Sequence, residues 1–237
     1  MQRKWLILSA VSLGSLMSTL DGSIVNIALP AIQQDFGIDL TTVEWVVVAY
    51  LLVLGSLLLP VGRLGEVQTF KRVYLAGFAI FTIASVLCGA APSAGALIAF
   101  RMVQAIGAAM IMAMGPAIIT RTFPAGERGR ALGLNGMSVS LGLTLGPVLG
   151  GILTQAASWR AIFLINVPIG IAGIAPNCSL IPVKVLSDGG SGSYDGIVNG
   201  MTWAADNGAH VLSMSLGGGG PVQAVQDACR YAIGKGA

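Results

Sequence analysis

Asp21 and Arg101 pose the first chemical question, because each sits inside a long apolar run: Asp21 within Trp5–Leu29, Arg101 near the start of Ala94–Ile119. An ionised side chain in hydrocarbon costs about 3 kcal/mol or more, so it is kept only where it faces a partner, a polar cavity or water. Gln104 follows Arg101 at the i+3 position and shares its helix face. An acid, a guanidinium and an amide in such surroundings suit a pathway for ions or solutes. The same residues could instead pair with each other or with backbone groups only to fix a bundle, and a buried pair could do both.

A second pattern runs through Ala131–Ala156, where Gly142, Gly146 and Gly150 recur at every fourth position and Ser138 and Thr154 continue the series. Small residues at that spacing form a stripe along which helix backbones approach closely. Pro147 removes one intrahelical hydrogen bond within the stripe, which favours a local bend. A packing seam and a hinge both fit this spacing. No arrangement suits covalent or metal chemistry: Cys88, Cys178 and Cys229 are scattered, with neither paired spacing nor a metal-ligand cluster. No catalytic residue, metal site or cofactor is assigned.

The elements that must position these residues are membrane-length helices. The chain has 237 residues, 54% hydrophobic and 10% charged, with a mean hydropathy of +0.81. That composition excludes an ordinary water-soluble globule. Six apolar stretches approach the ~20 residues that an α-helix needs to cross ~30 Å of hydrocarbon. They are Trp5–Leu29, Val43–Val61, Val73–Ala90, Ala94–Ile119, Ala131–Ala156 and a short sixth, Ala161–Ala175, which Pro176 stops. The expected fold is mainly α, a six-span transmembrane bundle over residues 1–175 with the lipid bilayer as its partner. The net charge of +3 is small and its basic residues form no continuous stripe, so nucleic acid is not an expected partner.

Lys and Arg stay on the cytoplasmic side during insertion, and their distribution sets the expected orientation. With the N-terminus inside, the inner segments hold Arg3, Lys4, Arg63, Lys71, Arg72, Arg121, Arg128 and Arg130, and the outer ones hold Arg160 alone. The expectation is a multi-pass protein of the cell membrane with the N-terminus and C-terminal tail cytoplasmic. Arg3-Lys4 before an apolar run also has the form of a secretory signal. Against that, the run continues past Asp21 to Leu29 without a small-x-small cleavage site, and five further spans follow.

Several motifs in these spans give the stretch a family likeness. Leu20-Asp21-Gly22-Ser23-Ile24-Val25-Asn26-Ile27-Ala28-Leu29-Pro30, then Arg101-Met102-Val103-Gln104 with Gly107, then Gly142, Gly146-Pro147 and Gly150-Gly151 occur in order in the first, fourth and fifth spans. On these motifs residues 1–175 resemble the N-terminal six-helix half of a major facilitator superfamily transporter of the fourteen-span drug/proton antiporter group. The glycine usual after the glutamine is Ala105 here. Between the second and third spans, Gly62, Leu64 and Lys71-Arg72 fit the family's gating-loop motif and Glu66 replaces its usual Asp, whereas Val67, Thr69 and Phe70 depart from it.

The resemblance implies proton-coupled efflux of small amphipathic solutes. It places Asp21, Asn26, Arg101 and Gln104 in the proton and substrate pathway and Gly142, Gly146, Pro147, Gly150 and Gly151 in an antiporter motif that controls helix sliding. Gly62, Glu66, Lys71 and Arg72 fall in the gating loop. The family's transport site lies between two helical halves. One half implies an incomplete transporter that needs a second half-transporter chain, or further residues, for alternating access.

Beyond about Ala175 the composition changes: residues 176–237 hold 12 glycines among short alternating segments. Ser179–Leu186 and His210–Met214 read as strands, Tyr194–Asn207 and Pro221–Ile233 as helices, which together make a small α/β (βαβα) fragment. Ile174–Leu180, Val183–Leu186, Gly190-Ser191-Gly192 and Ser213–Gly218 resemble the central part of a subtilisin-like serine peptidase. By that resemblance Gly190, Ser191, Gly192, Ser215, Leu216 and Gly217 would line a peptide cleft. The Asp, His, Asn and Ser motifs of catalysis are missing, and His210, the one histidine, lacks the family's histidine context. The expectation is a fusion joined near residues 170–176, with domains 1–175 and 176–237 and no enzyme activity.

Overall fold

The computed structural model describes residues 2–174, 193–208 and 223–235. The chain forms two compact units, Met1–Cys178 and Ser179–Ala237, each described here by itself.

The first unit is a helical bundle: α1 (Gln2–Phe36), α2 (Leu40–Val67), α3 (Phe70–Gly89), α4 (Ala94–Thr122), α5 (Ala125–Ala156), α6 (Ala161–Leu164) and α7 (Asn166–Ile174). The first five are long and apolar enough to cross a membrane. The expected short sixth run is present as an apolar helical stretch over Ala161–Gly173, with a break in its hydrogen-bond ladder at Ile165 that divides it into α6 and α7; Ile165 itself keeps helical dihedrals and donates to the Ala161 carbonyl at 3.1 Å. Pro168 lies at the break: it has no N–H to donate to Leu164, the residue four before it, and its ring crowds that carbonyl. In the first turn of α7 the same ring is tolerated.

Local signals explain where the long helices begin and end. Gly37 takes φ 61° after α1, and the Ile38 N–H donates back to the Gln33 carbonyl at 3.2 Å, a Schellman closure that needs the left-handed residue. The Thr42 hydroxyl donates to the Asp39 carboxylate at the start of α2. At α4 the Ser93 hydroxyl accepts from the Ala96 N–H at 3.3 Å and caps the helix.

Two apolar clusters fill the bundle. One gathers Val11, Tyr74, Phe78, Phe81, Ile111 and Met114 toward the N-terminal end of α1; the other gathers Ile24, Val25, Val46, Leu97, Trp159 and Phe163 toward its C-terminal end. Asp21 lies on α1 between them. Loops alternate between ends as a spanning bundle requires. Lys4 meets Glu127 at 2.5 Å and the Arg121 guanidinium lies 4.0 Å from the Phe70 ring centre at one end. At the other end Arg160 donates to Asp35 at 2.7 Å and to the Ala91 carbonyl at 3.3 Å. Large apolar residues such as Leu59, Ile83, Met137 and Val148 face outward, as lipid-facing positions would.

The second unit contributes α8 (Tyr194–Asp206) and α9 (Gln223–Gly234), which pack through Ile197, Met201 and Ala228. Both expected tail helices are present. The expected strands Ser179–Leu186 and His210–Met214 lie outside the described residues, and among the described residues there is no strand. The described tail is therefore helical, and the α/β fragment is not seen.

Candidate functional site

Asp21, Arg101 and Gln104 converge in the middle of the bundle, each with no solvent exposure. Arg101 Nη1 donates to Asp21 Oδ2 at 2.5 Å and to Gln104 Oε1 at 2.6 Å, while Gln104 Nε2 donates to Asp21 Oδ1 at 2.9 Å. The i+3 spacing on α4 is what lets guanidinium and amide grip one carboxylate together. Each buried charge is thus compensated by a charge and by hydrogen bonds, the condition under which such burial is tolerated.

Four residues that the sequence reading did not single out complete the cluster. Asn166, the first residue of α7, donates from Nδ2 to Asp21 Oδ1 at 2.8 Å. On α3 the Ser85 hydroxyl accepts from Gln104 Nε2 at 2.7 Å and donates to the Phe81 carbonyl at 2.8 Å. The Cys88 thiol lies 3.7 Å from Gln104 Oε1. Tyr50 of α2 sets its ring 3.9 Å from the Arg101 guanidinium carbon, and Arg101 Nε donates to the Val46 carbonyl at 3.3 Å. A desolvated stack of this kind contributes about 2 kcal/mol. Five helices, α1, α2, α3, α4 and α7, thereby meet at one polar point.

Asn26 is not part of it. Its side chain is exposed and reaches only the Gly22 and Ser23 carbonyls of its own helix, each at 3.5 Å. Five residues at about 100° each place it roughly 140° around α1 from Asp21.

The glycine stripe packs α5 onto α1. A Cβ on Gly142 would stand 2.8 Å from the Leu16 carbonyl oxygen and 2.9 Å from the Leu20 nitrogen, and one on Gly150 would stand 2.9 Å from the Ile24 carbonyl. At Gly146 it would collide with the Ser23 hydroxyl. Ser23 also donates across the seam to the Gly142 carbonyl at 3.0 Å. Gly151 faces open space and Pro147 is exposed, with α5 unbroken through it. Between the packing and hinge readings, this geometry supports a seam.

The gating-loop residues lie on helix ends. Gly62 and Glu66 belong to α2, whereas Lys71 and Arg72 are exposed in the first turn of α3, leaving only Gln68 and Thr69 between the helices. Gly190, Ser191, Gly192, Ser215, Leu216 and Gly217 lie outside the described residues.

Comparison with known proteins places this arrangement in a family. The family model described as Major Facilitator Superfamily matches residues 11–213. Its match crosses the supposed joint near 170–176, and the comparisons give the subtilisin-like fusion no support. The riboflavin transporter RibZ of Clostridioides difficile (strain 630) is 44% identical over 188 residues, which cover 79% of this chain and 41% of that protein. The methylenomycin A resistance protein of Bacillus subtilis (strain 168) is 42% identical over 170 residues, covering 71% of this chain and 36% of that protein. This chain therefore spans well under half the length of either relative. Among solved structures, a bacterial homolog of the human lysosomal transporter Spinster, in an inward-facing and occupied conformation, shares the fold with a TM-score of 0.63 at 22% identity, covering 71% of this chain and 41% of that one. Built as a multi-pass membrane bundle around a buried Asp21–Arg101 pair, the chain belongs to the major facilitator superfamily.

Proposed function

We propose that the chain forms one helical bundle of a proton-coupled antiporter that exports small amphipathic solutes, and that Asp21, Arg101 and Gln104 carry its proton and substrate pathway. The observation that carries this reading is the buried carboxylate of Asp21, held by three donors from two other helices, α4 and α7, at the centre of the membrane-length region. A carboxylate in that position can take up and release one proton, and each change alters what Arg101 and Gln104 have to bind. The names of the relatives, one a riboflavin transporter and one an antibiotic resistance protein, favour a polyfunctional organic solute as cargo. Transport sites of such folds lie between two bundles, so a second bundle completes the path. The excess of Lys and Arg at the end that holds Lys4 and Arg121 favours a cytoplasmic N-terminus.

The test is flux under an imposed proton gradient, with riboflavin as the fluorescent solute, in vesicles that contain the chain together with a second half-transporter bundle. Gradient-driven flux is expected in the wild type and is expected to be lost in Asp21→Asn. Equal flux in both would leave the buried pair as a device that only fixes the bundle.

A further inference from the structure

We propose that Asn166 is a positioning residue that senses the protonation state of Asp21 by inverting its side-chain amide. This inference rests on the proton-pathway reading above. Two amides contact Asp21 Oδ1: Gln104 Nε2 at 2.9 Å and Asn166 Nδ2 at 2.8 Å. They are not equivalent. Gln104 is pinned at both ends, because its Oε1 accepts from Arg101 Nη1 at 2.6 Å and its Nε2 also donates to Ser85 at 2.7 Å. Asn166 is held at one end only. Its Nδ2 bonds Asp21, with a long 3.5 Å contact to Ser85, while its Oδ1 is fully buried and accepts no hydrogen bond among the described residues.

An ionised carboxylate wants donors, whereas a protonated one must itself donate. When a proton binds Asp21 Oδ1, a new O–H bond forms there and the N–H···O bond from Asn166 must break. Rotation of the Asn166 amide then presents its carbonyl oxygen to that hydroxyl, and an O–H···O bond replaces the lost one. No bond on the oxygen side of Asn166 has to be given up. The same rotation at Gln104 would leave Arg101 Nη1 its bond to Asp21 Oδ2 but take away the acceptor of its other N–H and turn an amide N–H toward it, at a cost of the kind that keeps such groups paired. Asn166 also sits where the chain can respond, at the start of α7 beside the break at Ile165. The titratable groups facing Asp21 are Arg101 on α4, Tyr50 on α2 and Cys88 on α3. Neither α6 nor α7 contains a titratable side chain, and those of α5, Glu127, Arg128 and Arg130, lie in its first two turns.

Infrared difference spectroscopy on the full chain in lipid nanodiscs, on acidification, tests this. In the wild type the carboxylic-acid band of Asp21 is expected at the lowered frequency of a hydrogen-bonded acid, and Asp21→Asn should lack it. Asn166→Leu, of similar size but without donor or acceptor, should move that band to the higher frequency of a free acid. Asn166→Thr, whose hydroxyl can accept, should hold it near the wild-type position. Should the leucine variant fail to fold, carbonyl-labelled asparagine in the wild type serves instead: acidification should shift one side-chain carbonyl band that Asn166→Thr lacks. An unmoved acid band in Asn166→Leu, or no acid-linked asparagine shift, overturns the amide inversion alone. No Asp21 band in the wild type at any pH overturns the proton pathway and the inversion with it.

Discussion

Arg101 does not work as an isolated charge, because its guanidinium bridges Asp21 and Gln104 and stacks on Tyr50. Arg101→Met is therefore expected to leave a buried carboxylate without its cation and to lower stability by about 3–5 kcal/mol. Thermal unfolding in detergent reads that loss, and adding Asp21→Asn to the same chain should recover much of it, since the two sites are directly coupled. Arg101→Lys is expected to be a poor replacement, having neither the planar fork nor the ring stack. Asp21, Arg101 and Gln104 were legible in the sequence because charge and amide stand out against apolar surroundings. Ser85 and Asn166 were not, because a small hydroxyl or amide near lipid-like residues looks ordinary until folding brings Ser85 to the Gln104 amide, 19 residues away, and Asn166 to the Asp21 carboxylate, 145 residues away. Asn26 differs from both: motif membership groups it with Asp21, whereas helical geometry turns it to another face of α1, outside the buried cluster.

The α1–α5 seam is the element on which the glycine stripe acts. Gly142→Val and Gly146→Leu are expected to push side chains into the α1 backbone and Ser23, destabilising by at least the ~1–3 kcal/mol typical of overpacking. Gly151→Ala, which meets nothing, should be silent. Unfolding midpoints of the three variants, compared in one detergent, check this ordering. In the second unit, the Tyr231 hydroxyl and then Lys235 hold the Asp206 carboxyl below the usual carboxylate range. A carboxylate depressed on folding stabilises above its unfolded pKa of about 3.9 and loses that contribution as pH falls through the folded value. Hydrogen exchange of the α8 and α9 amides in the full chain should accordingly quicken as pH is taken below that range, beyond the intrinsic pH dependence, and Asp206→Asn should abolish the excess. Long apolar runs made α1 to α5 readable from sequence, since length and composition alone decide a membrane helix. The division of the sixth run depends on Pro168 acting where few turns flank it, whereas Pro30, Pro60, Pro116 and Pro147 are each carried inside unbroken helices.

At the scale of the whole molecule, the bundle has two differently built ends. Lys4, Glu127, Arg121 and Phe70 close one, while Asp35, Arg160 and Trp159 close the other. In a cysteine-free background, a cysteine at Arg128 is expected to react with an impermeant maleimide only in inside-out vesicles, and one at Ser93 only in intact cells; the reverse pattern would invert the orientation. Between these ends the only charges buried without exposure, among the described residues, are Asp21 and Arg101. The account stands or falls on whether a proton moves there when solute binds. The most direct measurement is proton release from the purified chain in weakly buffered detergent, followed with a pH indicator as solute is added. Release in the wild type and none in Asp21→Asn is the predicted result, and release of the same size from both would contradict it.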